Sequence, residues 1–558
     1  MYWLVIINLG LFSLVTCDDR PSRLVNLTQG PVRGYKDLDL DIFVFYGIPY
    51  ATAPTGHDKF KAPLPPPVWT EPFEAINKDI ICPQSTMLTM LTNTVVREDC
   101  LFANVYVPET NKEKLPVVVH FHAVAFAMGW SDIKADGNLI KSKEIIQVSF
   151  NHRLGAHGFL CLGTKDVPGN AGMKDQVALL RWVKNNIGNF GGNPDDVTLF
   201  GEETGSASVD LMTISKMAQG LFKRVIVQSG VSTTPYSVQI DPIENALLYA
   251  DYFKFENGDN IYELEFFLKN LSPRRLNSKH TMNREDSTFL MSPCVERDVG
   301  EERFLDDNPV NIIKSGNYKK VPMLYGYGEI DGQFRIPALK FWGRLMNKRF
   351  IEFLPGDLQF ECQAEKLLVA KAVKAFYFGD KVIGKDTMPE YVKYFTDITF
   401  AYPTLRSAKL HVESGHNKIY MFVKSKAIYD IPDTIPLSKN TSDKCSMSFG
   451  ALNEYLKELR QYKYVENLKT VRDAFRETLI SFITEGEPII PGLRRWKPVD
   501  INLSPQLYID GSFKLKKSLR KKMALFWDEI YQDYYVYPSA PPAPPPRNIN
   551  IQKNTGVW

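Results

Sequence analysis

Seven short apolar runs, each followed by a turn signal and then a helical pattern, constrain this chain more than any other feature. They are Leu115–His120, Ile145–Phe150, Val197–Phe200, Val225–Gln228, Val321–Tyr325, Ile419–Val423 and Leu507–Ile509. A strand that is apolar along its whole length must be covered on both faces, which is how parallel sheets are built. Between the runs lie amphipathic stretches such as Met173–Asn186, where Val177, Leu180, Trp182 and Val183 are apolar. The alternation predicts an α/β fold with a large, mostly parallel sheet flanked by helices. The middle, from about 259 to 355, reads as insertions and loops.

A chain of 558 residues, 44% hydrophobic, can bury a large core. With 67 basic residues against 64 acidic ones, its net charge of +3 argues against a nucleic-acid-binding surface. The basic stretch Lys514–Lys522 reads as a solvated helix face. Its periodicity continues through Met523, Phe526, Trp527 and Ile530 into a C-terminal helix. From 536 to 558 the chain is Pro-rich, with Pro538–Pro546 reading as polyproline II or disorder, hence a flexible tail.

Residues Met1–Cys17 form an apolar run too short for a membrane span and suited to a secretory signal. No second run approaches 18 residues, so the expected protein is extracellular and has no membrane span. Sequons at Asn26, Asn270, Asn440 and Asn502 agree with that compartment. Six cysteines follow the signal, and an oxidising compartment favours pairing among them. Six permit fifteen connectivities; Cys82 and Cys100 are close enough in sequence to propose as a pair, while Cys161, Cys294, Cys362 and Cys445 stay open. No Cys/His spacing suggests a metal site, and no cofactor is expected.

Several motifs in order then resemble the type-B carboxylesterase/cholinesterase family. They are Phe45–Pro54 (FYGIPYATAP), Glu98–Val107 (EDCLFANVYV), Asn151–Leu160 (NHRLGAHGFL), Gly169–Gln176 (GNAGMKDQ), Asn185–Pro194 (NNIGNFGGNP), Val197–Gly205 (VTLFGEETG) and Gln228–Gly230 (QSG). The resemblance covers roughly 24–535. It implies one α/β-hydrolase domain over 18–535 and a disulfide matching Cys82–Cys100.

The same resemblance locates a degenerate site. The nucleophile elbow of such hydrolases is G-x-S-x-G on a sharp strand-to-helix turn, and here it reads Gly201-Glu202-Glu203-Thr204-Gly205, with Glu203 at the nucleophile position. The run matching the oxyanion loop is His122-Ala123-Val124-Ala125-Phe126, where Ala123, Val124 and Ala125 replace glycines. Val124 is stiff, and losing one donor there costs about 10²–10³ in rate. Asp331 matches the acid. Aligned on Phe449-Gly450, the histidine position holds Thr441, which cannot act as a base near neutral pH.

With serine and histidine both absent, the sequence predicts an esterase-like protein that is not an enzyme and acts by binding. Its first expected role is protein recognition or adhesion, as in the inactive neuroligin, neurotactin, gliotactin and glutactin relatives. A carrier that holds a hydrophobic ligand or ester in the former gorge is the second. A residual ester hydrolase, or one with a carboxylate nucleophile at Glu203, is the third. The segment between Cys82 and Cys100 has no aromatic residue, which argues against cholinergic ligands. Dimerisation through the C-terminal helix, Lys514–Tyr535, is implied by resemblance.

Overall fold

A computed structural model describes residues 20–84, 94–131, 139, 142–256, 260–277, 284–425, 468–493 and 495–546. The signal run, Asn440, Thr441 and Cys445 lie outside the described residues.

The sheet begins with β1 (Ser22–Leu27), β2 (Gly30–Asp37), β3 (Ile42–Pro49) and β4 (Phe102–Pro108), each antiparallel to the one before. Then follow β5 (Leu115–Phe121), β6 (Ile146–Phe150), β7 (Gly192–Glu202), β8 (Arg224–Gln228), β9 (Met323–Gly328), β10 (Ile419–Lys424), β11 (Gln506–Ile509) and β12 (Phe513–Lys516). Their spatial order is β1-β2-β3-β4-β6-β5-β7-β8-β9-β10-β11-β12. From β6 to β11 every neighbour runs parallel; β4 against β6 and β11 against β12 are antiparallel. This is the α/β-hydrolase arrangement in a single domain, a mixed sheet with a parallel centre.

Continuous apolarity has the expected cause. Val117 and Val119 point into one core cluster and Val118 into another; Val225 and Val227 are likewise opposed to Ile226, and Met421 and Val423 to Tyr420 and Phe422. Alternate residues of one strand thus enter cores on both faces. Each fully buried aliphatic side chain contributes about 1.5–3 kcal/mol. One face is covered in part by α1 (Ala171–Asn186) and α2 (Glu203–Ile214), the other by α3 (Leu468–Glu485).

Three sequence expectations are corrected here. The stretch from 259 to 355 is not mainly loops: it contains helices Ile261–Asn270, Pro309–Ser315 and Leu339–Arg349 besides β9. Two of these begin with a capping side chain, Asn260 on the Tyr262 N–H and Asn308 on the Asn311 N–H, so short helices are closed locally without a long periodic pattern. Lys514–Lys522 is not one helix face, because it spans β12, a left-handed Arg520 and the start of α4 (Lys521–Tyr534). The proline segment to residue 546 packs on the body: the Tyr262 hydroxyl donates to the Pro545 carbonyl at 2.7 Å.

Cys82–Cys100 is a disulfide, and so is Cys161–Cys294; Cys362 is free and exposed. Asn26, Asn270 and Asn502 occupy exposed positions, although the Asn270 amide donates to the Phe266 carbonyl. No helix among the described residues is long and apolar enough to cross a membrane.

Candidate functional site

The elbow survives in full. β7 ends at Glu202 and α2 starts at Glu203, whose φ of 50° lies in the left-handed region. A non-glycine residue there costs about 1–2 kcal/mol, and such strain persists where the surroundings impose it. The surroundings are tight. A Cβ on Gly205 would come within 2.1 Å of the Phe121 carbonyl oxygen, and one on Gly230 within 2.1 Å of the Glu203 carbonyl oxygen. The glycines are needed for close approach, whatever side chain residue 203 bears.

Glu203 is packed about by protein on most sides while its side chain still meets solvent. Burial pushes its carboxyl up to about 7, helped by the neighbouring charges of Asp331 and Glu202. Among the described residues no hydrogen bond to its side chain occurs. Asp331, at the acid position, accepts from the Ser229 hydroxyl at 2.7 Å and the Gly328 N–H at 2.6 Å. Asp331 lies close enough to Glu203 for its charge to act on the Glu203 carboxyl.

The loop beside the elbow differs in detail from expectation. Its left-handed residues are Ala125, φ 54°, and Phe126, φ 53°; Val124, expected to be the misfit, is not one of them. Val124 instead occupies a turn in which its N–H donates to the Met128 carbonyl at 2.8 Å, so this donor is already engaged. The buried hydroxyl of Thr204 donates to the Ala123 carbonyl at 2.9 Å and accepts from the Phe126 N–H at 3.2 Å.

Buried aromatic side chains pack in the core beside the elbow. The Phe126 ring lies 5.1 Å from Phe159 and 6.5 Å from Tyr236, and Tyr236 stacks on Phe289 at 4.9 Å. Burial, then the charges of Glu203 and Asp331, hold the Tyr236 hydroxyl well above its ordinary range, so it stays neutral beside the carboxyl. Sequence reading missed Ser229 and Tyr236. The first lies inside the Q-S-G motif and the second soon after it, so the motif marked the segment but not their roles.

No histidine among the described residues hydrogen-bonds Glu203. His122 bonds the Phe150 carbonyl oxygen at 2.6 Å and stacks on His152 at 5.3 Å. Burial lowers it to about 3, with the His152 charge adding to that and the Phe150 bond opposing. His411 and His416 are also lowered to about 3 by burial first. These imidazoles are neutral structural groups. A cavity of about 980 Å³ opens at the opposite end of the sheet, lined by Arg224, Lys418 and Tyr420. Arg224 begins β8 and Lys418 precedes β10, whereas Glu203 and Asp331 follow their strands; parallel sheets place their chemistry at the latter end.

The comparisons with known proteins agree with this geometry. Residues 21–527 match the Carboxylesterase family. Juvenile hormone esterase of Heliothis virescens is 31% identical over 429 residues, covering 72% of this chain and 74% of its own. Venom carboxylesterase-6 of Apis mellifera is 31% identical over 511 residues, covering 87% of this chain and 89% of its own. The crystal structure of juvenile hormone esterase from Manduca sexta, with OTFP covalently attached, shares the fold at a TM-score of 0.75 and 24% identity. It covers 92% of this chain, and all of its own length is matched. Relatives named as esterases over most of the chain overturn the expectation that this one is no enzyme. On the match over residues 21–527 and these relatives, the chain belongs to the carboxylesterase family.

Proposed function

We propose that the chain is a slow hydrolase of lipophilic carboxylic esters in which Glu203 acts as a general base. The observation that carries this reading is a carboxyl raised to about 7 at the strained tip of the elbow. A general base works best when its own ionisation lies near the operating pH, and a positioned one contributes about 10²–10⁴ in rate. Ionised Glu203 takes a proton from water while that water's oxygen attacks the ester carbonyl carbon. The tetrahedral intermediate then expels the alcohol, which receives the proton back from Glu203. Water and ester become acid and alcohol, and the carboxylate is regenerated.

This route uses one group for both proton transfers and needs no separate imidazole at Thr441. The engaged Val124 donor weakens stabilisation of the oxyanion, which supports a low rate and long residence of bound ester. The relative named juvenile hormone esterase, 31% identical, makes a lipophilic hormone ester a fitting candidate. Secretion, as the leading run implies, belongs to the same reading.

The test is turnover of short and long acyl esters by purified protein and its Glu203→Gln variant. Activity should rise through pH 7 and vanish in Glu203→Gln. Turnover unchanged in that variant, or none in the parent at any pH, would sink the proposal. After turnover in heavy-oxygen water, label in the Glu203 carboxyl would reveal a glutamyl anhydride opened at its glutamyl carbon and overturn the general-base mechanism.

A further inference from the structure

The cavity of about 980 Å³ at the end of the sheet away from the elbow has a buried cation for its floor. Arg224 opens β8, and its side chain is 2% exposed. Nη1 makes every hydrogen bond of this side chain among the described residues: to Asp196 at 2.5 Å, to the Thr198 hydroxyl at 3.4 Å and to the Ile483 carbonyl. Nε is buried and has no partner among those residues. A buried donor left unpaired is costly, more so on a charged group. The turn in front of it keeps that donor uncovered. Gly486 has a φ of 80°, which favours glycine, and a Cβ there would stand 3.7 Å from Nε. Gly486 lines the same cavity, so the unpaired N–H faces open space where any other residue would place a side chain.

Charge points the same way. Arg224 and Lys223 share one carboxylate, Asp196, which Lys223 meets at 3.2 Å. Farther round the cavity Lys418 and Lys497 are exposed and form no ion pair among the described residues, while Arg495 is taken up by Glu487 at 2.6 Å. Asp500 accepts the N–H groups of Asn502 and Ser504, which leaves Glu485 as the other acid on the lining. His416 adds no charge: burial keeps it neutral, with Nε2 on the Val321 carbonyl at 2.8 Å and Nδ1 accepting the Lys418 N–H at 3.2 Å. Cations therefore outnumber carboxylates, and the deepest donor is a guanidinium. Its fixed fork of N–H groups matches the oxygens of a phosphate or sulfate.

We propose that this cavity binds a phosphate or sulfate group, with Arg224 Nε as its buried donor and Lys418 and Lys497 as cations at its rim. Small-molecule sites occupy about 300–1,000 Å³, so there is room for an organic group beside the anion. The site is separate from Glu203, and its test needs no ester turnover. Isothermal titration of the full chain with inorganic phosphate, at an ionic strength held constant with chloride, should show binding. Arg224→Lys keeps a charge opposite Asp196 but loses the fork, and it should bind at least about tenfold more weakly. Lys418→Ala combined with Lys497→Ala should weaken binding as much, and this rim pair decides should Arg224→Lys fail to fold. Lys348→Ala combined with Lys371→Ala removes the same charge from exposed positions outside the cavity and should change nothing. Phenyl phosphate distinguishes the sources: tighter binding than inorganic phosphate assigns a monoester, equal binding the free ion, and either supports the site. Absence of binding at about 10 mM phosphate overturns the proposal. So does parental affinity in Arg224→Lys, or in the rim pair where only that variant folds, and so does an equal loss in the remote pair, which would mean diffuse attraction.

Discussion

Thr204 donates its hydroxyl to the carbonyl oxygen of Ala123 at 2.9 Å, tying the turn that presents Glu203 to the loop beside it. The hydroxyl oxygen of Thr204 in turn accepts from the Phe126 N–H. One side chain thus holds two backbone groups of a loop whose residues 125 and 126 are both left-handed. Thr204→Val keeps the shape and removes both bonds, leaving buried groups unsatisfied at about 1–3 kcal/mol each. A loss of about 2–6 kcal/mol in urea unfolding is expected, with faster amide exchange in residues 123–128. Unchanged exchange there would show that the loop holds itself.

Glu203 makes stability depend on pH in a direction opposite to that of most carboxylates. Its folded value, about 7, lies above the unfolded range near 4.3. Between those limits the folded chain binds more protons than the unfolded one, so this group's contribution to stability falls as pH rises from about 4 to 7. Glu203→Gln removes that slope. Unfolding midpoints at pH 5 and pH 8 should show the variant gaining on the parent at pH 8; equal differences at both would place the carboxyl in an ordinary solvated setting.

The elbow was legible in the sequence because the backbone alone dictates it: Gly205 must pass the Phe121 carbonyl, and Gly230 the Glu203 carbonyl, so glycines recur at fixed spacing. Alternating strands and helices were legible for a similar reason, since Val117, Val118 and Val119 all had to be apolar to serve two cores. Lys424 was not legible. It comes beside Gln228 only because β8, β9 and β10 are neighbours, and no local pattern encodes strand order across nearly 200 residues. The expectation of a protein without activity failed for another reason. It was drawn from single positions, whereas likeness over most of the chain to relatives named as esterases is what overturns it.

Arg153 follows β6 and meets Asp175 on α1 in a fully buried two-point contact. Its Nε donates at 2.8 Å and its Nη2 at 2.6 Å, while Nη1 donates to the carbonyls of Lys59 and Lys61. Removing one partner strands a charge out of water. Asp175→Asn should cost about 3–5 kcal/mol in denaturant unfolding. A cost below about 1 kcal/mol, the range of solvated pairs, would mean that water reaches the guanidinium.

Cys161 and Cys294 join segments 133 residues apart, across a junction where Asn170 donates to the Cys294 carbonyl and to Glu296, and Lys174 pairs with Glu296. Closing so long a loop restricts the unfolded chain strongly, and the loop-entropy account gives about 4–5 kcal/mol for such a span. The buried polar groups around the bridge stay paired without it, so the folded state should survive its removal. Replacing both cysteines by alanine is therefore expected to lower the unfolding free energy by that amount while leaving ester turnover at Glu203 unchanged. Loss of turnover in a folded double variant would show instead that the bridge also fixes the packing of Phe159 and Phe289, which lie close in sequence to its two ends.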